Sequence, residues 1–221
     1  MRTGTLLVAC ALLFTACTVV SRQETGAGGD IPPVEEITAQ TASGARVGTG
    51  AITERLLPTG ILEVGSEQAP LVLLTFTNHA CGYCREFQEE HFGRLLEDFI
   101  QTGQLRVQFI ILPLKKYPQS RIAAAAVVCA MEQERGLAMH TALFEGKQDR
   151  GRMFSLARTL ALDEEEFRSC MEDTALDLLL SQQEAFARSL GVSLIPTFLL
   201  NGERLIGLPE YSALRGWIEE R

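Results

Sequence analysis

No cluster of Lys or Arg stands out in the 221 residues, and 28 acidic against 20 basic side chains leave a net charge of −8. Such a chain repels a phosphate backbone, which argues against nucleic acid as a partner. No apolar run reaches the ~20 residues that cross a bilayer comfortably, and the ordinary globular composition argues against a polytopic membrane protein. Cysteine is sparse: six residues do not make a disulfide-dense miniprotein, and each has to be read for itself. A second C-x-x-C pair is missing, which counts against a closed four-ligand zinc site.

What is present is ordinary globular material, with 46% apolar and 22% charged residues in a length that suits one domain with appendages. The apolar stretch Leu6–Val20 follows Arg2 and ends abruptly at Ser21-Arg22. At about 15 residues it matches a secretory segment better than a membrane span. Within it, Phe14-Thr15-Ala16-Cys17 resembles a bacterial lipoprotein box, in which Cys17 would take lipid and become the mature N-terminus; a plain signal peptide and an uncleaved anchor are the alternatives. All three place the remainder outside the cytoplasm, in the cell envelope or periplasm, where disulfides persist. Residues 21–55 are rich in Gly, Ala, Thr and Ser and read as a flexible tether.

The folded part is expected over 56–221. Leu71–Phe76 has the continuous apolar character of a strand buried on both faces. After the polar turn Thr77–Ala80, apolar positions from Cys84 to Phe99 recur at helical spacing. Leu105–Leu112 then reads as a second central strand, so a β-α-β unit with parallel pairing is predicted. The stretch 117–190 holds helical patterns and no strand-like run, and is taken as a helical insertion. Strands return at Thr197–Leu200 and Arg204–Ile206 around an Asn201-Gly202 turn, before a final helix near Tyr211–Glu219.

Cys81-Gly82-Tyr83-Cys84 stands where strand gives way to helix. Cys81 thus falls at a helix N-terminus, whose free N–H groups and positive dipole end favour the thiolate that attacks disulfides. Cys84 lies one turn on, within disulfide reach, and is expected to be more buried and less acidic. These are the candidate nucleophile and resolving thiol. His79, two positions before Cys81, reads first as a solvated loop histidine; if protonated it would place positive charge beside the thiolate. His140 sits alone in the insertion. No cofactor is implied.

On Phe76-Thr77-Asn78-His79-Ala80-Cys81, Ala126–Ala130, Met139–Phe144 and Gly191–Phe198, the chain resembles the thioredoxin superfamily, and within it the exported DsbA-like thiol:disulfide oxidoreductases. The resemblance covers about residues 60–221. It implies an α/β thioredoxin fold, a central mixed sheet flanked by helices with an inserted all-helical subdomain. It also implies that Ile195-Pro196 is the cis-proline loop that receives an extended substrate peptide. Clients would be reduced or misoxidised exported proteins, with a redox partner resetting the dithiol. Two features depart from the family pattern. Thr75 occupies the position where many members carry a buried acid, so proton transfer would go through water or another group. Gly82-Tyr83, the residues that tune the potential, match the dipeptide of a disulfide isomerase, whereas oxidases often have Pro-His; oxidation is favoured because no dimerisation domain is evident. Cys129 and Cys170, on predicted helices of the insertion, are inferred to form a structural disulfide, which would stabilise by roughly 4 kcal/mol. Two buried cysteines acting as small hydrophobes are the alternative. From another functional class, a non-catalytic envelope lipoprotein would use Cys81 and Cys84 as a structural bridge or to hold zinc.

Overall fold

The computed structural model describes residues 52–221. Strand β3 (Leu71–Thr77) lies at the centre, and six of its seven residues are buried because both sheet faces are covered. It runs parallel to β4 (Leu105–Ile111), with Leu73 opposite Val107 and Thr75 opposite Phe109. The crossover between them is helix α1 (82–100). Its turns alternate between ordinary α geometry and the wider i→i+5 geometry over Phe87–Phe92 and Leu96–Ile100. Helical spacing in the sequence predicts the helix and not its wider turns, which are set by packing.

On one side of β3 follow β5 (Thr197–Leu200) and β6 (Glu203–Ile206), an antiparallel hairpin turned by Asn201-Gly202, both at positive φ. On the other side β4 pairs with β2 (Leu62–Val64), which pairs with β1 (Glu54–Leu56). The sheet order is therefore β1-β2-β4-β3-β5-β6. Sequence periodicity misses β1 and β2, since three residues are too few to display an alternation. β1 also begins inside the stretch read as tether, so ordered structure reaches back before residue 56.

One sheet face, carrying Leu73, Val107, Phe109 and Phe198, packs on α1 and the C-terminal helix α7 (Tyr211–Glu219) through Phe87, Phe92, Leu95, Leu214 and Ile218. The other, with Leu74, Phe76, Ile110 and Leu199, packs on Phe186 and Ala187 of helix α6 (Thr174–Ser189). The insertion consists of α2 (Gln119–Met131), α3 (Gly136–Ala142), α4 (Arg150–Thr159), α5 (Glu164–Glu172) and α6. Helix α2 is its pivot. Ala123–Met131 are all buried, and an Ala-rich surface lets its neighbours approach closely. Cys129 of α2 is joined to Cys170 of α5 by a disulfide with Cα atoms 5.7 Å apart. Asp163 and Asp173 cap α5 and α6 by accepting from backbone N–H groups of the first turns.

Among the described residues no helix is long and apolar enough to cross a membrane. The expectations for 1–20 and most of 21–55, including lipid on Cys17, lie outside the described residues.

Candidate active site at the start of helix α1

Parallel strands β3 and β4 end together, and the chain leaving β3 must turn at once to enter α1. Asn78 makes that turn. Its Oδ1 accepts from Ala80 N (2.7 Å), its carbonyl from Cys81 N (3.1 Å), and its Nδ2 donates to the carbonyl of Leu112 (2.6 Å), just beyond β4. An Asx turn of this kind is legible in principle from Asn ahead of a helix, yet the contact with Leu112 depends on the parallel register.

Cys81 is the N-cap of α1 in extended conformation, and its Sγ accepts from Cys84 N at 3.2 Å. The sulfur is half-buried, and Cys84 is 1% exposed. Both are free thiols. The Cys81 thiol is held down to about 7 from an ordinary 9.0, first by the hydrogen bond from the Cys84 thiol and then by the backbone N–H groups of Cys84 and Tyr83, with burial working against them. Cys84 is pushed well above its ordinary value by that same bond, by burial and by the negative charge on Cys81. One sulfur therefore ionises and is reachable while the other stays protonated beneath it.

Ile195 brings the opposite wall. The Cys81 thiol faces the Ile195 carbonyl at 3.7 Å, and the Ile195–Pro196 peptide is cis. Thr197 Oγ1 donates to the Leu194 carbonyl (2.7 Å) and Gly207 N to that of Pro196 (2.9 Å), so loop and hairpin hold each other. Gly82 and Tyr83 face solvent. Tyr83 on the active-site helix, Leu194 in the loop before Pro196 and Ile206 at the end of β6 are exposed to 66%, 63% and 56%.

His79 is corrected by the structure. It is neither solvated nor a source of positive charge: it is 1% exposed, and burial holds it down to about 3 from 6.5, hence neutral. His140 is not alone. His79 Nε2 and His140 Nδ1 are 3.0 Å apart across 61 positions of sequence, and burial likewise keeps His140 neutral. Phe144 packs against both rings and Phe109 against that of His140. His79 Nδ1 and His140 Nε2 have no partner among the described residues. With one ring donating, one buried N–H and one buried lone pair find no partner among the described residues. Sequence spacing gives no hint of this contact.

Thr75 is fully buried, and its hydroxyl has no hydrogen-bond partner among the described residues. A buried carboxylate does exist, Glu63, but the register Glu63–Gln108–Leu74 places it on the sheet face opposite Thr75. There it accepts from Arg55 and from Gln108 Nε2 (2.6 Å) and pairs with Arg106. It does not substitute for an acid beneath Cys84. Among the described residues no group of three or more His, Cys, Asp or Glu is placed to hold a metal.

The sheet order, the crossover helix and the cysteine pair at its start agree with a family comparison in which the thioredoxin model matches residues 57–220. The chain belongs to the thioredoxin family. It is 29% identical over 153 residues to the Na(+)/H(+) antiporter NhaA 1 of Salinispora arenicola, a match covering 68% of this chain and 23% of that protein. The chain thus spans about a quarter of the length of that curated relative. It is 21% identical over 167 residues to Disulfide bond formation protein D of Bacillus subtilis, covering 71% of this chain and 75% of that one. Among solved structures it is similar to a thioredoxin-like oxidoreductase from Silicibacter pomeroyi, with a TM-score of 0.64, 25% identity, and coverage of 73% of this chain and 91% of the other.

Proposed function

We propose that this thioredoxin-family chain is an exported thiol:disulfide oxidoreductase that exchanges disulfides with protein clients through Cys81 and Cys84, with oxidation of clients the favoured direction. The observation that carries it is the half-buried Cys81 sulfur at a helix N-cap, receiving Cys84 N at 3.2 Å and facing the Ile195 carbonyl at 3.7 Å.

In the oxidising direction a client thiolate attacks Cys81 of the closed disulfide, and Cys84 leaves and takes up a proton. A second client thiolate then attacks the client sulfur of the mixed disulfide and releases Cys81 as thiolate. Two electrons have passed to the enzyme, and a separate redox partner removes them. The lowered pKa of Cys81 makes it the better leaving group and stabilises the reduced enzyme, which favours giving the disulfide away. Because Cys81 sits near 7 rather than several units lower, a mild oxidant is expected. Gly82 and Tyr83 tune this balance, and His79 acts through position, not charge.

An extended client strand lies along Ile195 and Pro196, where proline has no N–H of its own to occupy. Tyr83, Leu194 and Ile206 then offer apolar contacts to side chains flanking the client cysteine. The Cys129–Cys170 disulfide is structural. The N-terminal apolar segment directs export, and lipid on Cys17 tethers the domain to the membrane.

The test is reduction of insulin with a dithiol donor and, separately, oxidation of a reduced client peptide. Activity lost in Cys81→Ala supports the proposal; activity unchanged in that variant overturns it, leaving a non-catalytic scaffold. The reduction potential of the Cys81–Cys84 couple decides direction, and intact mass of the membrane fraction decides the state of Cys17.

A further inference from the structure

The hydrogen bond between His79 and His140 joins the active-site turn to a helix of the insertion. His79 lies mid-turn between Asn78, which is fixed to the sheet at Leu112, and Cys81, whose sulfur must meet the N–H groups of α1. On the other side, His140 lies on α3 and is 0% exposed. The next residue, Thr141, accepts from Gln88 Nε2 of α1 at 3.0 Å. Adjoining positions of α3 therefore hold the turn before Cys81 and the helix after it.

The pair is not explained by packing alone. Phe109 and Phe144 close around the rings, an enclosure that two phenylalanines would fill without leaving His79 Nδ1 and His140 Nε2 unmatched. A buried polar pair of this kind calls for an explanation beyond filling space. Burial holds His79 down, against a hydrogen bond to the His140 backbone that raises it, and burial and then the His79 ring hold His140 down; no carboxylate or cation is among the causes.

We propose that His140 is a positioning residue for Cys81: through its hydrogen bond to His79 the inserted subdomain holds the turn that aims the Cys81 sulfur at the N-terminus of α1. Released from His140, the turn remains anchored at Asn78 only, and Cys81 is free to rotate away from Cys84 N. The insertion then governs thiol reactivity directly as well as covering the sheet. This deepens the function proposed above and rests on Cys81 being the attacking sulfur.

The test uses the full reduced chain, with alkylation of Cys81 by iodoacetamide followed by mass across pH. His140→Phe keeps ring volume and removes both nitrogens. His140→Asn places an amide where Nδ1 stands and restores a partner for His79. With a cooperative melt retained, His140→Phe is expected to raise the midpoint of the Cys81 profile by about a unit, leaving roughly fivefold less thiolate at pH 7, and His140→Asn to bring most of it back. A folded His140→Phe chain with the wild-type midpoint overturns the proposal. So does a shift that persists unchanged in His140→Asn. If His140→Phe does not fold, His79→Phe removes the same bond from the side of the turn and is judged by the same readout. Wild-type alkylation with a midpoint near 9 would instead sink Cys81 as an activated nucleophile, so the two failures are distinguishable.

Discussion

Raising the pH of the reduced protein should switch on one sulfur and leave its neighbour silent. With Cys81 near 7 against an ordinary 9.0, about half of it is thiolate at pH 7, where an unperturbed thiol holds ~1%. That is a ~50-fold advantage in the reactive species. Lower basicity costs intrinsic nucleophilicity: with a Brønsted slope of ~0.45, two units remove a factor of ~8. Cys81 should therefore alkylate only about sixfold faster than a free thiol at pH 7, lose that lead near pH 8, and react about eightfold more slowly well above pH 9. Cys84, buried and shifted upward, should stay unlabelled throughout. Timed quenching with iodoacetamide and peptide mass mapping, against a model thiol in the same buffers, reads both curves. A Cys81 profile parallel to that of the model thiol would refute the account of how the helix N-terminus and Cys84 act. So would labelling of Cys84 at a comparable rate.

Three further outcomes follow from the same structure. Replacing Cys129 and Cys170 by alanine together removes a bridge across 41 positions and should cost about 4 kcal/mol, lowering the melting midpoint by roughly 8–16 °C; a shift under a few degrees contradicts it. His79 and His140 take up protons more readily unfolded, near 6.5, than folded. Their contribution is thus complete above about pH 6.5 and falls on acidification, by roughly 3 kcal/mol per pH unit for the two together until the folded values are reached. Urea midpoints that stay level between about pH 7 and pH 5 would be inconsistent with a neutral buried pair. Glu63→Leu takes the buried carboxylate from Arg55 and Arg106, which keep their contacts with Glu67, and should destabilise by about 1–3 kcal/mol. Because Glu63 faces away from Thr75, the alkylation midpoint of Cys81 should not move in that variant; a shift would mean that Glu63 reaches the dithiol after all.

Much of this architecture was readable along the chain, because the signals concerned are local. Leu71–Phe76 is apolar without alternation because β3 is covered on both faces; Asn201-Gly202 turns a hairpin because both residues adopt positive φ easily. The C-x-x-C spacing and the strand before it place Cys81 at a helix start whatever the rest of the chain does. What tertiary structure alone decided depends on residues far apart in sequence. The neutrality of His79 comes from burial, which Phe144 and the ring of His140, 61 positions later, help to supply. Likewise, only strand register could put the buried carboxylate of Glu63 on the wrong face to serve Cys84. Spacing of residues determines which backbone groups a side chain meets within a turn or two, whereas dehydration and long-range pairing, which set charge state, exist only after the chain has closed around them.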